Sequence, residues 1–116
     1  MPSTENPQEL LPLTPRVFLI LWALSENECH GYGLLREVEE LGRGRVSIKP
    51  GSLYEAIDSL ARRGLIEPAD NGGNSRRRTY RITGFGRDVV AAEATRLGEL
   101  VDDLRAAKLI KQPRHS

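Results

Sequence analysis

The stretch Pro50-Gly51-Ser52-Leu53-Tyr54-Glu55-Ala56-Ile57-Asp58-Ser59-Leu60-Ala61-Arg62-Arg63-Gly64-Leu65-Ile66-Glu67-Pro68 sets the reading of the whole chain. Leu53, Ile57, Leu60 and Ala61 recur at i, i+4, i+7 and i+8, one face of an α-helix that starts at a proline and ends near Gly64. Straight after it, Leu65 to Pro68 and the run Arg78-Thr79-Tyr80-Arg81-Ile82 read as strands. The turn signal Asp70-Asn71-Gly72-Gly73-Asn74 between them makes a β-hairpin.

Upstream lie two more helices. Thr14-Pro15 is a hydroxyl cap followed by a first-turn proline. The helix behind it, to about Glu26, is apolar nearly all round, so it needs cover on two sides. A second helix is predicted from about His30 to Leu41, with Leu34, Leu35, Val38 and Leu41 on one face and Gly42 where a terminating glycine belongs. Arg45-Val46-Ser47-Ile48 alternates polar and apolar and reads as a short strand. Downstream, Thr83 caps a last helix from about Gly84 to Lys108. It carries Val90, Ala94, Leu97, Val101 and Leu104 at spacings of four and three residues, the pattern of a coiled-coil seam.

The fold class is therefore mainly α with a small β-hairpin: a winged helix-turn-helix followed by a long C-terminal dimerisation helix. Residues 1–12 are expected as a flexible arm, 13–83 as the DNA-binding domain, 84–111 as the dimerisation helix and 112–116 as a flexible tail. The interface expected for the dimer combines Phe18 and Trp22 with Val90, Ala94, Leu97, Val101 and Leu104.

Composition narrows the function. No apolar run approaches 18 residues, so no membrane span is expected. The single cysteine, Cys29, cannot form an internal disulfide, and the first residues lack the pattern of a secretory signal; a cytoplasmic protein is expected. The net charge is only +1, but it is segregated. Up to Gly42 seven acids face two bases, and between Arg43 and Arg81 nine bases face four acids. A basic middle third suits a polyanion.

On the third helix, Gly51 and Ser52 are small residues that would let backbone N–H groups approach a phosphate. Ser52 reads equally well as half of a capping box with Glu55. Tyr54 is either a partly buried aromatic or a phenol donating to a phosphate; Ser59 and Lys49 are further contact candidates. Glu55 and Asp58 repel non-specific DNA, which favours discrimination in a groove reader or, alternatively, a winged helix that binds protein instead. Arg76, Arg77 and Arg78 adjoin the hairpin tip, where their forks match phosphate oxygens. They also read as charges guarding an edge strand. Enzyme chemistry finds no support. Cys29-His30 is best read as the start of the second helix, the two histidines and one cysteine have no metal-site spacing, and His30-Gly31-Tyr32-Gly33 lacks the features of a phosphate loop. No cofactor and no metal are expected. A thiol sensor at Cys29 is a weaker alternative.

Taken together and in order, Leu13-Thr14-Pro15, Phe18-Leu19-Ile20-Leu21, His30-Gly31-Tyr32-Gly33, Pro50-Gly51-Ser52-Leu53-Tyr54, Gly64-Leu65-Ile66, and Arg77 to Thr83 with Gly86 resemble the PadR family of bacterial transcriptional regulators. The resemblance spans roughly Leu13 to Leu109. It implies a homodimeric repressor of the short subfamily, acting on double-stranded DNA at an inverted-repeat operator. It also implies that the third helix enters the major groove, using Lys49, Gly51, Ser52, Tyr54 and Ser59, while Arg76, Arg77 and Arg78 reach the backbone. Some members of the family release DNA on binding a small hydrophobic or phenolic effector, and in drug-binding members an aromatic residue of the last helix helps to form that site. Here no aromatic residue follows Phe85, so any effector cavity falls to Phe18 and Trp22, residues whose commoner use is core packing.

Overall fold

The computed structural model describes residues 6–69 and 79–111. Four helices, α1 (Pro15–Glu26), α2 (Gly31–Leu41), α3 (Pro50–Arg62) and α4 (Gly84–Ala106), surround a three-stranded antiparallel sheet of β1 (Cys29–His30), β2 (Ile66–Ala69) and β3 (Thr79–Ile82). Strand β3 lies in the middle, with β1 on one side and β2 on the other. The caps form as the sequence predicts. Thr14 Oγ1 accepts from the Val17 N–H at 3.2 Å, and Thr83 Oγ1 accepts from the Gly86 N–H at 3.0 Å.

The core gathers the inward face of each helix. Ile20 and Leu24 of α1, Leu34 and Val38 of α2, and Leu53, Ile57 and Leu60 of α3 are buried with Leu65, Ile66, Ile82 and Val89. The α3 face is the one its periodicity predicts. Past α3, Gly64 takes a left-handed backbone (φ 77°), which suits glycine and turns the chain into β2.

Three local expectations are corrected. Cys29-His30 does not open α2 but forms β1, pairing with Tyr80 and Thr79. Arg45-Val46-Ser47-Ile48 forms no strand. Ile48 is buried and Val46 half-buried while Arg45 and Ser47 are exposed. The alternation records burial against the core, and the open edge of β3 is already taken by β1. The left-handed residues after α2 are Arg43 (φ 55°) and Gly44 (φ 72°), not Gly42. Gly42 is small for packing instead: a Cβ there would lie 3.1–3.3 Å from the Val38 carbonyl, Leu19 and Val46.

The segment read as an arm is partly structured. Pro7–Leu10 makes a 3-10 turn that rests on α4, and Leu10, Leu11 and Leu13 pack against the core. The hairpin turn at 70–74 lies outside the described residues, as do Met1 to Glu5 and the tail 112–116.

Glycine matters most where α4 starts. Thr83 Oγ1 donates to the Gly64 carbonyl at 2.6 Å, and the Thr83 N–H donates to the Leu65 carbonyl at 3.0 Å. These bonds draw the helix so close that a Cβ on Gly86 would sit 2.1 Å from the Leu65 carbonyl oxygen and 2.7 Å from Ile82. Backbone cannot yield as a side-chain tip can. Gly86→Ala is expected to destabilise the fold by about 1–3 kcal/mol or more, the range for overpacked interiors. Urea unfolding would measure it, with Gly98→Ala, where a Cβ meets open space, as the neutral or stabilising control.

Candidate nucleic-acid and dimer surfaces

The outer side of α3 is built by the same periodicity that buries Leu53, Ile57 and Leu60. Lys49, Gly51, Tyr54, Glu55, Asp58 and Arg62 are exposed there, and Ser52 and Ser59 are half-buried. The capping-box alternative for Ser52 falls away. Lys49, not Ser52, is the N-cap of α3 and makes no side-chain cap hydrogen bond, because an ammonium has no lone pair to accept from the unpaired N–H groups of the first turn. Ser52 thus sits inside the first turn. Nothing lies within 4 Å of where a Cβ on Gly51 would stand. Packing within the chain does not require glycine there, and its smallness leaves the start of α3 open to close approach from outside.

Tyr54 stands half exposed, at 50%, with its ring against the start of α2. A Cβ on Gly31 would lie 2.6 Å from the Tyr54 hydroxyl. The glycine of His30-Gly31-Tyr32-Gly33 and the tyrosine of Pro50-Gly51-Ser52-Leu53-Tyr54 therefore form one feature: a missing side chain on α2 that seats an aromatic of α3. Sequence reading singled out both motifs without joining them, because the contact spans two helices.

Arg76, Arg77 and Arg78 lie outside the described residues. Below the tip the hairpin is regular, with Glu67 opposite Arg81 in register and the two side chains joined by an ion pair at 2.8 Å.

The second surface runs along α1 and α4. Trp22 is 38% exposed and stacks at a tilt on half-buried Phe18, ring centroids 6.1 Å apart. Core packing is thus not the use made of Trp22, since the buried face of α1 is formed by its neighbours Leu19, Ile20, Leu21, Ala23 and Leu24. Phe18, Trp22 and Ser25 of α1 meet Val90, Ala91, Ala94 and Leu97 of α4 around an open groove of about 460 Å³. The structure so brings together Phe18, Trp22, Val90, Ala94 and Leu97. Val101 and Leu104 continue along α4 beyond the groove. In α4 the fully buried residues are Gly86, Val89 and Glu93. Beyond Glu93 the helix leaves the body of the domain, with Leu97, Val101 and Leu104 only half covered and Leu100, off the predicted seam, 44% exposed.

Glu93 itself was not foreseen. It is 1% exposed, and its Oε2 accepts from the Leu13 backbone N–H at 2.8 Å. Arg96, one turn on, donates to it through both Nε and Nη2. The carboxylate thereby ties the segment ahead of α1 to the outgoing helix. A signal existed: Glu93 falls four residues after Val89, on the inward face of α4, where an unpaired charge would be costly. Hydrogen bonding from Arg96 is the main cause holding its carboxyl below the ordinary range; burial opposes this, and the Leu13 N–H and the Arg96 charge add to it.

Cys29 shows the opposite behaviour. Burial, and then the Glu37 carboxylate, push its thiol above the ordinary value. Reactive cysteines need a thiolate, so this environment counts against a thiol sensor.

The PadR-like transcriptional regulator family matches residues 20–92, well over half of the chain. The chain belongs to the PadR-like family. It has the winged-helix fold of that family. It is 33% identical over 86 residues to the transcriptional regulator Rv3488 of Mycobacterium tuberculosis, a match covering 73% of this chain and 78% of that protein. An uncharacterized 37.1 kDa protein in transposon TN4556 of Streptomyces fradiae is 33% identical over 82 residues, 71% of this chain. The chain spans under a third of the length of the first curated relatives it matches, 23% of this one. Among solved structures, a PadR family transcription regulator from Clostridium difficile superposes with a TM-score of 0.68 at 23% identity, covering 80% of this chain and 97% of that one; at that identity the likeness speaks for the fold. Among the described residues no helix is long and apolar enough to cross a membrane.

The Glu93 tie carries a pH signature. Because its folded-state pKa is depressed, its stabilisation is fully present above the unfolded value near 4.5 and is lost as pH falls through the folded value. Glu93→Gln is expected to cost about 1–3 kcal/mol at pH 7 by weakening a buried, charged acceptor. Thermal melts from pH 7 down to 3 should show the wild-type losing stability below about pH 4.5 more steeply than the variant. Parallel acid limbs would show that Glu93 does not carry this dependence.

Proposed function

We propose that the protein is a cytoplasmic repressor that binds an inverted-repeat operator as a homodimer and releases it on binding a small hydrophobic or phenolic effector. In this reading α3 lies in the major groove, with Lys49, Gly51, Ser52, Tyr54 and Ser59 at its contact end, and Arg76, Arg77 and Arg78 grip the flanking backbone. Glu55 and Asp58 reject wrong sequences. The dimer forms by pairing α4 with α4 and α1 of a second copy through Phe18, Trp22, Val90, Ala94, Leu97, Val101 and Leu104.

One observation carries the reading most directly. Past Glu93, α4 keeps an apolar side that its own chain leaves half covered. A helix of 23 residues is about 35 Å long at 1.5 Å per residue, so much of it projects from the domain body. Water-exposed apolar ridges of that length are covered by a second helix more often than left bare, and a twofold pair sets two α3 helices about one helical turn of DNA apart, roughly 34–36 Å. The groove beside Trp22 is apolar and lies along the same surface, so an effector bound there would act on the pairing of the two chains. An alternative, in which the winged helix binds protein instead of DNA, draws on Glu55 and Asp58 alone; retention on heparin and a shift of the protein's own upstream DNA separate the two.

Two variants test the pairing and one tests the wing. Leu97→Asp and Leu104→Asp each place a charge on the seam, and each should move sedimentation toward the single-chain mass and weaken operator binding at least tenfold. Unchanged mass and affinity in both would remove the seam. Replacing Arg76, Arg77 and Arg78 together by Ala should weaken the shift and flatten the plot of log K against log salt by up to about three units, near 0.9 per phosphate contact. An unaltered slope would take these arginines off the DNA.

A further inference from the structure

A second cleft lies on the domain, away from the Trp22 groove. It is formed between the start of α1 and the loop joining α2 to α3. Thr14, Pro15, Arg16, Arg45, Val46 and Ser47 line it, around about 520 Å³. Its chemistry is one-sided. Two guanidinium groups and two hydroxyls face it, and no acid does. Arg16 and Arg45 are both exposed, and among the described residues neither makes an ion pair, whereas Arg81, Arg96 and Arg105 all do. Thr14 Oγ1 accepts from Val17, which leaves its proton to donate outward.

The position is as telling as the composition. Ser47 precedes Pro50, the first residue of α3, by three residues, at most about 10 Å of extended chain. Between the two stands Lys49, exposed and free of any capping duty. From Arg43 to Lys49 the loop carries three bases and no acid. Arg43 and Gly44 hold left-handed backbone at the head of this loop, turning Arg45 toward the α1 side of the domain. Along the chain the cleft's loop side thus lies within three residues of the α3 contact end. The cleft's size favours an extended occupant, since a single ordered water claims only about 30 Å³; a stretch of sugar-phosphate fills it better than one ion.

We propose that this cleft binds the phosphate backbone of the duplex next to the groove read by α3, with Arg16 and Arg45 as a cationic pair and Thr14 and Ser47 as hydroxyl donors. The inference rests on the reading of α3 as the groove element and extends the footprint beyond α3 and the hairpin to the start of α1. Because phosphate contacts position a protein without reading bases, Arg16 and Arg45 contribute affinity and register but not sequence preference.

The test uses the full chain, its own upstream DNA, and the variants Arg16→Gln, Arg45→Gln and the double change. Both side chains are exposed, so melting curves should be unchanged and certify the fold. Each single variant is expected to lower affinity several-fold equally for operator and unrelated DNA, and the double variant to reduce the salt slope by about two units, near 0.9 per contact. Arg63→Gln, an exposed base past the end of α3, serves as the control and leaves the slope unchanged. Loss of operator preference with an intact salt slope, or an unchanged slope in the double variant while wild-type binds DNA, overturns the proposal. Inorganic phosphate supplies a second arm: if it perturbs the amide resonances of Arg16 and Arg45 at low millimolar concentration while DNA binding ignores both arginines, the cleft is a free-anion site and the backbone assignment is wrong. Failure of the wild-type to bind its upstream DNA would instead strike the groove reading of α3 itself, and the cleft proposal with it.

Discussion

Helix α4 begins against the carbonyl of Leu65, at a point where no side chain fits between helix and strand. Thr83 holds the junction from both directions, donating to the carbonyls of Gly64 and Leu65 and accepting from Gly86. That junction fixes the angle at which α4 leaves the domain. Since α3 ends immediately upstream, at Arg62, it also fixes the relation between α3 and α4.

Glu93 extends the same logic by two turns. A buried carboxylate is costly alone, but here it is shared by Arg96 and by the backbone of Leu13. The chain ahead of α1 is thereby fastened to α4 just where that helix departs. The Trp22 groove lies alongside this fastening, lined on α4 by Val90 and Ala91 before Glu93 and by Ala94 and Leu97 after it. A molecule entering the groove would press on α1 and α4 together; in the proposed dimer that is a physical route from an effector to the spacing of the two α3 helices. Such a route needs two arrangements of the helix pair that differ in affinity for the effector.

Much of this architecture was legible in the residues. Thr14-Pro15 and Thr83 announce helix starts because a hydroxyl cap and a first-turn proline solve the same local problem of unpaired N–H groups. The inward face of α3 follows from spacing alone. What failed has a common cause: the deciding partner was remote. Cys29-His30 looks like a helix start until Thr79 and Tyr80 offer it a strand. Arg45 to Ile48 looks like a strand until the edge it needs proves occupied. Trp22 looks like core until its neighbours on α1 fill that face. The resemblance to the PadR family named the fold correctly where such local signals competed, and the family match bears it out. The roles of the contact residues are another matter. Lys49, Gly51 and Tyr54 stand exposed together at one end of α3, while the three wing arginines lie outside the described residues.

The central claim is that two chains act as one unit with their α3 helices set for successive turns of duplex. Sedimentation equilibrium of the wild-type chain, alone and with a short duplex from its upstream region, addresses it most directly. The account predicts twice the single-chain mass in both cases, with two chains on each duplex. A single-chain mass that persists on DNA, one chain to a site, would contradict it.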